Sequence, residues 1–90
     1  MKLINLFEDT RYKILYYNKD GKPHREDGPA IIDADGRKEW YQNGEYHRED
    51  GPAYLDADGY KAWYINGKCY GDGDKPPQEW LDAGGKYETD

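Results

Sequence analysis

Hydrophobic positions fall in short runs, each closed by turn-forming residues: Leu3-Ile4-Asn5-Leu6-Phe7, Tyr12-Lys13-Ile14-Leu15-Tyr16-Tyr17, Ala30-Ile31-Ile32-Asp33, Trp40-Tyr41, Tyr54-Leu55 and Tyr60-Lys61-Ala62-Trp63-Tyr64. Runs of this length rich in aromatic and branched residues read as strands, and no segment carries a helical period of the required length. Asp33-Ala34-Asp35-Gly36 and Asp56-Ala57-Asp58-Gly59 fit three-residue hairpins closed by a left-handed Gly. Asn43-Gly44 and Asn66-Gly67 sit where a two-residue type I′ turn is expected. That register sets Tyr41 opposite Tyr46 and Trp40 opposite His47, so aromatic cross-strand pairs hold the hairpin. The predicted fold is all-β, an antiparallel hairpin meander without substantial helix.

The hairpins recur. His24-Arg25-Glu26-Asp27-Gly28-Pro29-Ala30 returns unchanged as His47-Arg48-Glu49-Asp50-Gly51-Pro52-Ala53, 23 residues later, and Asp-Ala-Asp-Gly, the Lys, the Trp-Tyr pair and Asn-Gly follow at the same interval. A fixed interval of this size marks an array in which each unit buries its apolar surface against the next. Residues 1–90 are expected to form a single domain of about three units with caps. Its parts are an N-terminal cap strand over 1–11, a degenerate repeat over 12–23, repeats over 24–46 and 47–69, and a C-terminal cap with a tail over 70–90. The last five residues, 86–90, read as a short strand or frayed tail. Each His-Arg block reads as a bend between units, because its Pro cannot donate to a central ladder.

Composition changes the picture of what fills the core. The chain has no Val and no Ser, and ten Tyr and three Trp supply most of the apolar surface, rings whose polar tips can stay in water. A net charge of −6 argues against direct binding to nucleic acid or anionic membranes and favours basic partners. The single Cys69 has no internal disulfide partner, which makes a reducing compartment the default, and its expected place is as a small packing residue. The N-terminal apolar run is too short for a signal peptide, so the expected location is cytoplasmic.

The segment Trp63-Tyr64-Ile65-Asn66-Gly67-Lys68-Cys69-Tyr70-Gly71-Asp72-Gly73 resembles the MORN repeat, a 23-residue hairpin unit, and the resemblance extends over 12–85. At 25–28 and 48–51 Arg-Glu-Asp-Gly stands in place of that family's Gly-x-Gly, which is similar to a variant associated with small phage and bacterial proteins. The resemblance implies a curved meander used for protein–protein contact, with lipid headgroups proposed as ligands of some members, and it implies no catalytic activity. The negative charge here weakens the lipid reading.

Candidate chemistry is sparse. The His-Arg-Glu-Asp blocks hold a base, an acid and a cation, but an active site is needed once whereas a structural joint is needed in every unit. The expectation is that Arg25 and Arg48 pair with carboxylates or turn carbonyls of a neighbouring unit while His24 and His47 cover Trp40 and Trp63. Two imidazoles without a cysteine cluster make a weak metal set, and Asp-x-Asp-Gly lacks the remaining oxygens of a calcium loop. Nucleophile inventory is poor, with Thr present only at positions 10 and 89. No catalytic, cofactor or metal residue is assigned.

Function is therefore expected where the repeats differ. By strand alternation Lys38 and Trp40 share a face that repeats, while Arg37, Glu39 and Tyr41 share one that changes to Tyr60, Ala62 and Tyr64. These six residues are the expected partner surface of a non-enzymatic interaction module, since Tyr and Arg are enriched at binding hot spots. A small phage or mobile-element protein that modulates a host defence protein is the setting expected from size, acidity and family association. Two alternatives differ in mechanism: an acidic nucleic-acid mimic using Glu26, Asp27, Asp33, Asp35, Glu49, Asp50, Asp56, Asp58, Asp72 and Asp74, and a small enzyme using His24 and His47. A homodimer through exposed sheet edges is a further expectation.

Overall fold

The computed structural model describes residues 2–5 and 13–87. Its elements in chain order are β1 (Lys2–Asn5), β2 (Lys13–Tyr16), β3 (Ile31–Asp33), β4 (Lys38–Glu39), β5 (Tyr41–Gln42), β6 (Glu45–Tyr46), β7 (Tyr54–Leu55), β8 (Lys61–Ile65), β9 (Lys68–Asp72) and α1 (Gln78–Asp82). Seven strands form one antiparallel sheet in the order β1-β2-β3-β4-β7-β8-β9, and β5 and β6 form a separate hairpin. Neighbours in the sheet follow one another along the chain as in a hairpin meander, except that the β5–β6 hairpin intervenes between β4 and β7, and α1 is a single five-residue turn of helix. The cap strand expected over 1–11 is described at Lys2–Asn5, where it pairs with β2; its remainder, the start of the 12–23 segment and residues 88–90 lie outside the described residues.

Both turn types form where the sequence places them. Asn43 and Gly44 have φ of 52° and 86°, and Asn66 and Gly67 have 49° and 83°, the doubly left-handed pair of a type I′ turn. The Asp33 N–H donates to Arg37 O at 2.9 Å and the Gly36 N–H to Asp33 O at 3.1 Å, with the same pattern at 56–60. Tyr41 lies opposite Tyr46, and the His47 N–H donates to Trp40 O at 3.0 Å.

The His-Arg blocks join one hairpin to the next. His24 Nδ1 accepts the Asn43 N–H and His47 Nδ1 accepts the Asn66 N–H, both at 3.0 Å. In the same turns the Gly44 N–H reaches Pro23 O at 2.9 Å and the Gly67 N–H reaches Tyr46 O at 2.8 Å. Both left-handed N–H groups of each turn are thus satisfied by the preceding segment. The arginines face the other way. Arg48 Cζ lies 3.8 Å from the centre of the Trp40 ring, its Nε donates to Asp50 Oδ1 at 2.8 Å, and its Nη1 donates to Pro52 O at 2.9 Å. Arg25 repeats this over Tyr16 at 4.0 Å, bonded to Asp27 and Pro29 O. The aromatic rings are therefore covered by Arg25 and Arg48, not by His24 and His47 as the sequence suggests, because the imidazoles are drawn into the turns. Each guanidinium bonds inside its own block rather than to a neighbouring unit as the sequence suggests, while the arginine backbone N–H groups donate across to Tyr41 O and Tyr64 O. The guanidinium lies flat over Gly51, where a Cβ would come within 2.6 Å of Arg48 Cζ, and beyond it Pro52 and Ala53 are buried.

The array ends where this joint is missing. Trp63 stands 23 residues after Trp40, yet the position that would hold the next arginine is Gly71. Trp80 on α1 and Tyr87 cover Trp63 instead, edge to face at 4.8 and 5.2 Å. Trp63, Ile65 and Trp80 form the buried cluster, with Tyr70 and Leu81 against it. The cap closes back on the array through the Lys86 N–H, which donates to Glu49 O at 2.6 Å.

A test of the arginine joint follows from Gly51, whose φ lies outside the left-handed region and where the atoms nearest an added Cβ all belong to Arg48. Gly51→Ala is expected to cost about 1–3 kcal/mol in urea denaturation. In an Arg48→Ala background the same change is expected to cost much less, and fully additive effects would remove the joint from the account of stability.

Candidate functional site

The varied face is built around one buried carboxylate. Glu39 on β4 is 7% exposed, and its Oε1 accepts from the Tyr46 hydroxyl at 2.7 Å and the Tyr41 hydroxyl at 3.0 Å. Arg37 stands beside it, with Nε 3.4 Å from Glu39 Oε2 and Nη2 paired with Asp33, itself buried and 3.6 Å from Lys13 Nζ. A carboxylate removed from water needs donors and a counter-charge, and here two phenols donate hydrogen bonds while the Arg37 guanidinium supplies the charge. Desolvation opposes the Arg37 charge, but Asp33, with Tyr54 and Glu39, outweighs it and raises the Arg37 pKa.

From this centre the tyrosines form a continuous surface. Tyr41 stacks on Tyr46 at 4.4 Å, Tyr46 meets Tyr64 at 4.7 Å and Tyr54 edge-on at 6.3 Å, and Tyr54 meets Tyr60 edge-on at 5.9 Å. Burial, then the hydrogen bonds with Tyr41 and Glu39, pushes the Tyr46 pKa well above the ordinary phenol range. Burial foremost also raises Tyr41 and Tyr64. At Tyr60 partial desolvation acts first and the Asp72 carboxylate second, both raising it.

All six expected surface residues belong to this one face, but they occupy different depths. Tyr60 is 48% exposed and Arg37, Tyr41 and Tyr64 are half-buried, while Glu39 and Ala62, the latter 3% exposed, lie beneath the rings and shape the surface from below. Three residues of the face escaped the sequence reading. Tyr46 was legible as the cross-strand partner of Tyr41. Tyr54 was not, because its place opposite both Glu39 and Ala62 depends on β7 pairing with β4 on one side and β8 on the other. Asp72 enters through β9, where it faces Ala62 across a bulge that follows Trp63.

On the opposite side the two His-Arg blocks line a groove of about 540 Å³ that includes Trp40, Arg25, Arg48 and Lys86. Its charges are largely committed. The Arg25 hydrogen bond holds the Asp27 carboxyl below the usual range. His47 accepts a backbone N–H at Nδ1, so its proton sits on Nε2, which lies 3.0 Å from Glu49 Oε2. Neither ring nitrogen is left to act as a base. Among the described residues no group of three or more His, Cys, Asp or Glu side chains is arranged to hold a metal ion.

Cys69 is exposed, not a packing residue, because β9 is an edge strand there. No helix of the described residues is long and apolar enough to cross a membrane. Comparison with protein-family models, with curated proteins and with solved structures gives no match.

The raised tyrosines set an alkaline limit. A phenol whose folded pKa lies above its unfolded value contributes stability in full below about pH 10, and that contribution is lost as pH rises beyond it. Tyr46→Phe is expected to make the fall in stability above that pH shallower, while costing about 1 kcal/mol at neutral pH because Glu39 loses a donor. An unchanged alkaline limb in pH-dependent denaturation would show that Tyr46 does not set it.

Proposed function

We propose that this chain is a non-enzymatic protein-interaction module, a MORN-like array that presents its tyrosine face to another protein. The observation that carries the reading is the contiguity of five tyrosines on one face, two of which, Tyr41 and Tyr46, are fixed from beneath by hydrogen bonds to Glu39. Rings held in this way contribute large contact area with little further loss of conformational freedom on binding. The repeat array supplies a rigid frame, and the negative net charge selects partners with basic surfaces. A cytoplasmic phage or mobile-element protein that modulates a host defence protein is the biological setting we favour, on the MORN-like resemblance and the acidic character.

The exposed carboxylates favour a second reading, an acidic mimic of nucleic acid, since the Glu26, Asp27 and Asp50 side chains are 79–86% exposed. Several of these charges are already paired: Asp27 with Arg25, Asp50 with Arg48 and Asp74 with Lys61. That leaves fewer carboxylates to stand in for phosphates and makes the tyrosine face the stronger reading.

The two readings separate in capture from nuclease-treated bacterial lysate with tagged protein. A partner is expected to survive washing at high salt and to lose about 10-fold or more in affinity on Tyr60→Ala or Arg37→Ala. Loss at high salt with no effect of Tyr60→Ala is the outcome the mimic requires.

A further inference from the structure

The two full units differ on the tyrosine face, and the first contains what the second lacks. In the first, the Arg37 guanidinium lies beside Glu39 and pairs with Asp33, and Glu39 in turn holds the Tyr41 and Tyr46 hydroxyls. Twenty-three residues on, Tyr60 stands in place of Arg37, Ala62 in place of Glu39 and Cys69 in place of Tyr46, while Tyr64 keeps the position of Tyr41. The second unit has lost the guanidinium and the Glu39 carboxylate beside it, while Asp56 keeps the place of Asp33.

The surroundings of Ala62 retain the means to hold a cation. Tyr54 and Asp72 flank Ala62 on the neighbouring strands, and Tyr60 and Tyr64 flank it along the same face of the chain. Asp72 occupies, relative to Ala62, the cross-strand place that Tyr54 occupies relative to Glu39. Its carboxylate interacts with the Tyr60 phenol, is exposed, and forms no ion pair with a Lys, Arg or His among the described residues. Phenol rings attract cations over their faces, and a planar guanidinium both stacks on a ring and bonds a carboxylate through two parallel N–H groups. A phosphate or carboxylate would meet Asp72 and a net charge of −6.

We infer that the surface over Ala62 receives an arginine side chain of the partner protein, with Asp72 as its carboxylate and the Tyr60 and Tyr64 rings as its stacking surfaces. This rests on the interaction-module reading and names the chemistry of its partner. The partner's arginine meets a carboxylate on this face as Arg37 meets Asp33 in the first unit.

The test is an NMR titration of the full chain with acetyl-Gly-Arg-Gly-amide, following the Ala62 methyl and the Tyr60 and Tyr64 ring resonances. Citrulline and lysine versions of the tripeptide serve as controls. Saturable shifts confined to these resonances are expected with arginine at millimolar concentration, weaker ones with lysine and none with citrulline. Asp72→Asn is expected to lower the arginine affinity about two- to five-fold. The double variant Tyr60→Arg/Ala62→Glu rebuilds the pair of the first unit and is expected to abolish the response while the other tyrosine resonances keep their dispersion. Shifts that do not saturate, that are matched by citrulline, or that persist in the double variant overturn the inference. If the tripeptide fails while capture of an intact partner still depends on Tyr60, the arginine assignment falls and the interaction module stands; if Tyr60 is also without effect on capture, both fall.

Discussion

The structure depends on a guanidinium held over the face of an aromatic ring. With few aliphatic residues, the chain has little means of burying one hairpin against the next through a conventional core. Arg48 over Trp40, and Arg25 over Tyr16, seal each joint, fixed at one end by an aspartate two residues on and at the other by a proline carbonyl. The arginine stem and the ring exclude water from the segment below, where Ala53 and Ala30 are completely buried. This explains the composition of the repeated block residue by residue. His caps the turn, Arg covers the ring, Glu faces the imidazole, Asp holds the guanidinium, Gly gives it room, Pro offers its carbonyl and Ala fits beneath.

The same logic explains how the array stops. A further arginine joint would expose another aromatic strand needing cover, without end. At Trp63 the arginine is replaced by two aromatic rings, Trp80 and Tyr87, that need no following unit. The buried cluster of Trp63, Ile65 and Trp80 lies at this end of the described sheet, where the repeated joint is absent.

Structure and candidate function divide between the two faces. The block side is constant because its bonds are internal: both histidine nitrogens, both arginines and their aspartates are occupied in holding units together. The tyrosine side tolerates exchange of Arg37 for Tyr60 and of Glu39 for Ala62, because the sheet beneath is fixed by its backbone ladder and by the turns. Where Glu39 is present it holds two phenols rigidly; where it is absent, Tyr60 is left nearly half exposed beside Asp72. The two units thus carry different versions of one constellation, Glu39 beside Arg37 in the first and Asp72 beside Tyr60 in the second.

The sequence by itself determined the antiparallel hairpin character and both turn types, since Asn-Gly and Asp-x-Asp-Gly fix local backbone geometry whatever surrounds them, but not the break at Trp40 that puts β4 and β5 in different sheets. It also determined which residues share the varied face, because alternation along a strand is a local property. Only the tertiary structure decided that Arg48 rather than His47 covers Trp40, that Tyr54 lies between Glu39 and Ala62, and that Cys69 is exposed on an edge strand. It likewise decided that Trp80 takes the missing arginine's place from a short helix. These outcomes depend on which strands become neighbours and on which of several competing partners each side chain reaches. No spacing along the chain encodes that competition, which is settled only when the hairpins meet.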